Sequence, residues 1–382
     1  MSLRTPNAAP SAARADADAP DALIAVDRAL ADLRRGRLIV VMDEAGTLLV
    51  QAAEAVTPHS LARLAQLGDG PALLALTGRR ADALGLAGIE GVKVAALEIA
   101  DGTPAQTVRD IADPAADITF RLPPLHALPP ALTPCAAAAV HLTKLARLLP
   151  TALIAPLAAK DAAEVIERED LLAVSAADVA DYEQRAARSL KPVSQARVPL
   201  FDAENARIVA YRPSDGGIEH LAIVIGEPKA DQPVLIRLHS ECFTGDLLGS
   251  LRCDCGDQLR GAIAAISEAG SGVLLYLAQE GRGIGLVNKL RAYQLQDGGA
   301  DTIDANEQLG FDADERLYLP AAQMLRDMGF SRVRLLTNNP EKVAALQACG
   351  IEVVERVPHA FPATAHNKAY LETKAKRSGH LF

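Results

Sequence analysis

Residues 240–259, SECFTGDLLGSLRCDCGDQL, hold three of the chain's five cysteines within fourteen positions. Any fold of this chain has to resolve whether those thiols converge. Ten residues separate Cys242 from Cys253, and one separates Cys253 from Cys255. Alternate residues on a strand or in a tight loop share one side, so Cys253 and Cys255 can face one ion. Zinc favours thiolates, and three protein ligands leave a fourth position open for chemistry, whereas structural sites close the shell with four. No fourth cysteine lies nearby. An open site acidifies bound water into a nucleophile near neutral pH. The alternative is buried, inert cysteine packing as a small hydrophobe. Arg237, His239, Glu241, Asp246, Arg252, Asp254 and Asp257 crowd the same stretch and would make a poor core. Cys135 and Cys349 lack such neighbours and read as structural.

The chain has 382 residues, 49% of them hydrophobic and 23% charged, an ordinary globular composition with length for two or three domains. Aromatics are only 3%, so the cores must be built from Leu, Val, Ile and Ala. A formal charge of −9 argues against a non-specific nucleic-acid binder and leaves a compact anionic ligand to local Lys and Arg placement. No apolar run reaches the roughly eighteen residues of a membrane span. Residues 1–20, rich in Ala, Pro and Asp, read as a disordered tail without the apolar stretch of a signal peptide. An odd, low cysteine count fits a reducing cytoplasm without disulfides.

Two textures divide the rest. Residues 21–190 are rich in Ala and Leu. GRLIVVMDEAGTLLVQAAEAVTPHSLARLAQL reads as strand, turn, strand and a helix opened by Thr57-Pro58. PALLALT and TALIAPLA read as strands, GRRADALGL as a helical turn, and LHALPPALTP as a loop. CAAAAVHLTKLARLLP is a predicted helix stopped by Pro150, and SAADVADYEQRAARSL a Ser-capped one. KPVSQARVP reads as a linker, set at its first seven residues, 191–197. From 198 to 382 strand signals come quickly: ARIVAYR, IEHLAIVIG, PVLIRLHS, GVLLYLA and RVRLLT. Helices are predicted at CGDQLRGAIAAISEAG, VNKLRAYQLQD, LPAAQMLRDMG and NNPEKVAALQACG, and GADTIDANEQLGFDADER as a polar loop. Alternating signals of this kind predict α/β and α+β packing in two domains.

RLHSECFTGDLLGSLRCDCGDQL, QEGRGIGLVNKLRAYQLQDGGADTIDANEQLGFDADER and LLTNNPEKVAAL together resemble GTP cyclohydrolase II. The resemblance runs from about Val198 to the terminal SGHLF and implies a mixed α+β domain. It implies that Cys242, Cys253 and Cys255 hold zinc, and that a metal-activated water opens the guanine ring at carbon 8, releasing formate. It also implies that Arg237, Leu238, His239, Ser240 and Glu241 line the GTP site with Glu280, Gly281 and Arg282, and that Gln258, Thr302, Thr337 and Lys342 contact the nucleotide. Gln258 offers paired donor and acceptor groups for a base edge, and Lys342 a point charge for phosphate. Asp314 matches the family's proton acceptor, Tyr293 an active-site position, and Arg316 the nucleophile towards the α-phosphate. A guanidinium is protonated at ordinary pH, so its own chemistry suits Arg316 to neutralising charge as pyrophosphate leaves. The triphosphate implies Mg2+ as well. The implied product is 2,5-diamino-6-ribosylamino-4(3H)-pyrimidinone 5′-phosphate, and the implied assembly a homodimer.

The front half resembles a 3,4-dihydroxy-2-butanone 4-phosphate synthase domain, an α/β fold, with its catalytic signatures missing. Where that family carries Asp-Asp-x-x-Arg-Glu-Asn-Glu-Gly-Asp, this chain has only Asp43 and Glu44 before AGTLLV. The family's His-Thr-Glu-Ala is Cys135-Ala136-Ala137-Ala138. Losing that His and Glu removes a metal ligand and an acid/base group, so synthase activity is expected to be absent; His126 alone does not make a site. Two other readings remain: a divergent paralogue with partial ring-opening activity, and a non-catalytic nucleotide sensor or scaffold.

Overall fold

The computed structural model describes residues 19–86, 91–116 and 134–359. Residues 1–18 of the expected tail, His126 and its loop, and the terminal SGHLF lie outside them. Ala19 and Pro20, placed in the tail by the sequence reading, begin the first helix, Ala19–Arg34 (α1).

Ile39–Met42 (β1) and Thr47–Ala52 (β2) pair antiparallel across the predicted turn, where the Asp43 carboxylate accepts the amides of Ala45 and Gly46. With Leu73–Thr77 (β3), Val94–Glu98 (β4), Thr151–Pro156 (β5) and Leu172–Ser175 (β6) they form a described sheet in the order β4-β3-β5-β2-β1-β6. Pro58–Leu67 (α2) starts as predicted, with a reciprocal Thr57–Ser60 capping box and proline in its first turn. Gly78–Ala83 (α3), Ala105–Ala112 (α4), Pro134–Leu145 (α5), Ala159–Arg168 (α6) and Ala176–Arg188 (α7) complete the half. The fifth helix ends at Leu145, before the Pro150 expected to stop it.

Both faces of this sheet are buried, which the even spread of Leu, Val and Ala requires. One face packs Ile39, Val41, Val50 and Ile154 against Val26, Leu30 and Leu33 of α1 and Leu142 of α5. The other packs Val40, Leu49, Leu76 and Leu153 not only against its own helices but against Ile284, Ala292, Leu309 and Phe311 of the second half. The two halves therefore share a core.

The second sheet runs β13-β12-β10-β11-β9-β8-β7, from Lys191–Arg197 (β7), Ala206–Arg212 (β8), His220–Ile225 (β9), Val234–Ser240 (β10), Gly272–Leu277 (β11), Arg332–Leu336 (β12) and Glu352–Val357 (β13). The expected linker 191–197 is thus an edge strand. All seven of its residues are exposed, so it shows no apolar alternation, and its Lys, Pro and Arg suit an edge that must not pair further. Helices Cys255–Glu268 (α8), Leu286–Asp297 (α9), Thr302–Gln308 (α10), Leu319–Asp327 (α11) and Pro340–Ala348 (α12) connect or cover it. The expected polar loop after Asp297 contains α10, capped by Asp301 on the amides of Ile303 and Asp304. Strands β10, β11 and β12 are parallel neighbours, and the crevice beyond their carboxyl ends is where such sheets bind ligands. Among the described residues no helix is long and apolar enough to cross a membrane.

Candidate active site

Strand β10 delivers Arg237 and His239 to the crevice because residues two apart share a face. Leu238 lies between them, and its side chain goes into the opposite core, buried with Ile236 and Leu275. Only its carbonyl bears on the site, accepting the buried Lys342 ammonium at 3.1 Å. The strand then breaks into the cysteine loop.

Cys242, Cys253 and Cys255 converge, their sulfurs all within 4.8 Å of one another, with Cys242 and Cys253 at 3.7 Å. Cys255 opens α8, where the sequence predicts a helix over CGDQLRGAIAAISEAG, and Cys253 lies in the loop before it, so the two converge across a helix start and not by strand alternation. Gly245 makes the convergence possible: a β-carbon there would sit 2.8 Å from the Cys253 sulfur and 3.0 Å from that of Cys242. Hydrogen bonds from Cys253 and Cys255, and the Lys289 ammonium, hold the Cys242 thiol well below its ordinary range, while the bond to Cys242 pushes Cys253 up to about 11. A divalent cation would take all three sulfurs as thiolates, which is the donor chemistry of a zinc site with three sulfur ligands.

Behind the cysteines a buried polar network fixes the loop. The Asp246 carboxylate takes the Tyr276 hydroxyl at 3.0 Å, the Cys242 amide at 3.0 Å and Nε2 of His239 at 3.0 Å. Burial lowers the His239 pKa, and Asp246 only partly offsets it. Glu280, 3% exposed, accepts the Phe243 amide, the Gly281 amide and the Lys289 ammonium, tying the cysteine loop to the segment after β11.

That segment is the predicted Gly-rich turn. Gly281 and Arg282 both lie in the left-handed region, at φ 64° and 63°. A non-glycine residue held there is strained, as at many binding loops. The Arg282 carbonyl accepts the Glu315 amide at 3.0 Å, and its guanidinium donates to the Ala313 carbonyl at 3.1 Å, which docks the DADER segment.

These elements enclose a cavity of about 710 Å³, lined by the cysteine cluster, Ser240, Glu241, Gln258, Glu280, Gly281, Arg282, Tyr293, Thr302, Arg316, Thr337 and Lys342, along with Arg237 and His239. Arg237 donates to the Leu336 carbonyl and to Oε1 of Gln258, and burial pulls its pKa down to about 10. Its Nε is buried without a hydrogen-bond partner among the described residues, a donor suited to a ligand. Gln258 is held in turn by Asp254. Burial raises Glu241, with Glu280 adding to the shift, and burial also raises Tyr293. Thr337 accepts the Asn339 amide, and Asn339 caps α12, so the start of that helix faces the cavity with Lys342.

Of the residues that the resemblance assigns to the site, Leu238 and Asp314 do not line the cavity. Asp314 grips Arg316 through Nε at 2.8 Å and through a second guanidinium nitrogen. Burial opposes its charge, but Arg316 outweighs burial and keeps the carboxyl below its ordinary range. A carboxylate so held is a weak base, and accepting a proton would require this pair to open.

Sequence reasoning did not single out Lys289, Tyr276, Asn338, Asn339 or His359, although four of the five line the cavity. The one available signal was spacing: Lys289 and Tyr293 stand four apart on α9 and share a face. His359 bonds the Gln258 carbonyl across 101 residues, a contact with no local sequence signature.

The family profile of GTP cyclohydrolase II matches residues 191–358, beginning with β7, and that of 3,4-dihydroxy-2-butanone 4-phosphate synthase matches 27–126. The chain is 56% identical over 371 residues to GTP cyclohydrolase-2 of Azospirillum brasilense, covering 94% of each. It is 39% identical over 396 residues to riboflavin biosynthesis protein RibBA of a Synechocystis strain, covering 93% of this chain and 71% of that one. Among solved structures, RibBX of A. baumannii, a two-domain 3,4-dihydroxy-2-butanone 4-phosphate synthase, matches with a TM-score of 0.35 and 20% identity, over 88% of this chain and 99% of that one.

Proposed function

We infer the reaction from one premise: the chain belongs to the GTP cyclohydrolase II family. The proposed reaction hydrolyses GTP to 2,5-diamino-6-ribosylamino-4(3H)-pyrimidinone 5′-phosphate, formate and pyrophosphate. The observation that carries it is the sharing of one cavity by a three-sulfur cluster and a set of cationic and amide side chains.

Cys242, Cys253 and Cys255 would hold Zn2+, which when bound supplies Lewis acidity and an acidified water at neutral pH. Gly245 keeps the space between the sulfurs clear, and Asp246 orients the loop through the Cys242 amide. Gln258, itself fixed by Asp254 and Arg237, offers its amide to the base edge. Lys342 and the start of α12 carry positive potential to the polyphosphate, with Mg2+ accompanying the substrate. Arg316 neutralises charge as pyrophosphate leaves, held in orientation by Asp314.

The front half contributes no second activity in this reading. Cys135 replaces the histidine of the synthase signature, and its amide bonds Asp43 at 3.2 Å. Burial and Asp43 push its thiol up to about 12, so it stays protonated and inert. A cytoplasmic homodimer is part of the same proposal. The test is Cys253→Ser: zinc content and formate release from GTP are expected to fall together. Wild-type turnover by that variant would contradict the reading.

A further inference from the structure

The turn that follows α5 in the front half reaches the nucleotide site of the second half. It closes α5 with the bond pattern of a left-handed helix cap, the Leu148 amide reaching the Thr143 carbonyl and the Arg147 amide that of Lys144. The capping residue is Arg147, at φ 59°. Glycine is the usual occupant of such a position because it takes positive φ without a steric cost. An arginine there implies that its side chain does something glycine would not.

That side chain crosses to the other half. Its guanidinium donates to the Ala278 carbonyl at 2.8 Å, at the end of β11 and immediately before Gln279 and Glu280. Its aliphatic stem lies against Gly285, where an added β-carbon would come within 3.1 Å of Cβ of Arg147. Its own carbonyl accepts Nδ2 of the buried Asn288 at 3.1 Å. The three contacts bracket residues 279–285, the strained segment that presents Glu280, Gly281 and Arg282 to the cavity. One turn earlier, Lys144 meets Oε1 of Glu315 at 2.6 Å, between Asp314 and Arg316. The same helix end therefore braces both segments of the site.

We propose that Arg147 is a positioning residue for the GTP site, supplied by the front half, and that this half acts as a brace for the segment 279–285. The proposal rests on the functional reading above. A segment displaced by about 1 Å costs catalysis far more than it costs binding of a flexible substrate.

The test compares the full-length protein with Arg147→Gly and Arg147→Lys. Glycine accepts the left-handed backbone, so Arg147→Gly is expected to fold, melt near the wild-type temperature and retain its zinc. It is expected to lose about tenfold or more in kcat, with a smaller change in KM. Hydrogen exchange of the amides of 279–285 is expected to speed up, and Arg147→Lys to recover part of both. Unchanged kcat in Arg147→Gly, or unchanged exchange over 279–285, would overturn the proposal. A wild-type protein that turns over no GTP would sink the functional reading instead, while the exchange measurement still decides whether Arg147 holds the segment.

Discussion

The Lys289 ammonium lies 3.1 Å from the Cys242 sulfur and 2.8 Å from Oε1 of Glu280, joining the cysteine loop to the Gly-rich segment through one buried cation. Burial disfavours its charge, but the bonds to Glu280 and Cys242 outweigh burial and hold its pKa above the ordinary lysine value. Lys289→Met leaves the Glu280 carboxylate buried with two backbone amides but without its cation. The expected cost is about 3 kcal/mol of stability by chemical denaturation, most of it recovered when Glu280→Gln is added. Equal stability of the wild type and the single variant would count against the bridge.

Gly245 is required by space. Gly245→Ala puts a methyl group against two cysteine sulfurs, so the variant is expected to retain less than about a tenth of the wild-type zinc after dialysis against a weak chelator, given the tight geometry zinc sites demand. Atomic absorption checks this directly.

Acid should destabilise the protein through half-buried His220 and buried His359. Burial holds His220 and His359 at about 4, against an ordinary 6.5. The unfolded chain therefore takes up these protons first as pH falls. The stability held by the neutral rings is complete above 6.5 and is lost as pH falls towards 4, by up to about 1.4 kcal/mol per pH unit for each histidine. His220 accepts the Ala278 amide through Nδ1, a role glutamine can imitate. His220→Gln is expected to flatten the fall in melting temperature between those limits, and an unaltered slope would contradict the assignment.

Arg80 joins the halves from the front. It is 3% exposed and donates to the carbonyls of Ile111 and Gln308. Arg80→Ala orphans both carbonyls and opens a cavity at the shared core, with an expected loss of about 3 kcal/mol. Denaturant titration would measure it.

What could be read in the sequence was what local chemistry dictates. The cysteine spacing, the Thr57 and Ser175 caps and the apolar strands β3, β5 and β10 all carry their signals within a few residues. Strand β7 does not: it is exposed on both faces and is a strand only because β8 offers it a partner. Helix α10 was hidden in a polar run because it buries only Ile303, Ala305 and Asn306, and Ala305 packs into the core shared with the front half. Distance in the chain also hid the contacts of Lys144 and Arg147, whose partners lie more than a hundred residues away, and the bond from Tyr276 to Asp246, 30 residues apart. Leu238 was grouped with its neighbours by motif, and strand alternation turned it the other way.

The most direct test of the cyclohydrolase reading is mass-spectrometric product analysis after incubating the purified protein with GTP and Mg2+, with and without a zinc chelator. Formation of the diaminopyrimidinone monophosphate and formate, abolished by the chelator and restored by Zn2+, is the expected result. Unchanged GTP from zinc-loaded protein would contradict it.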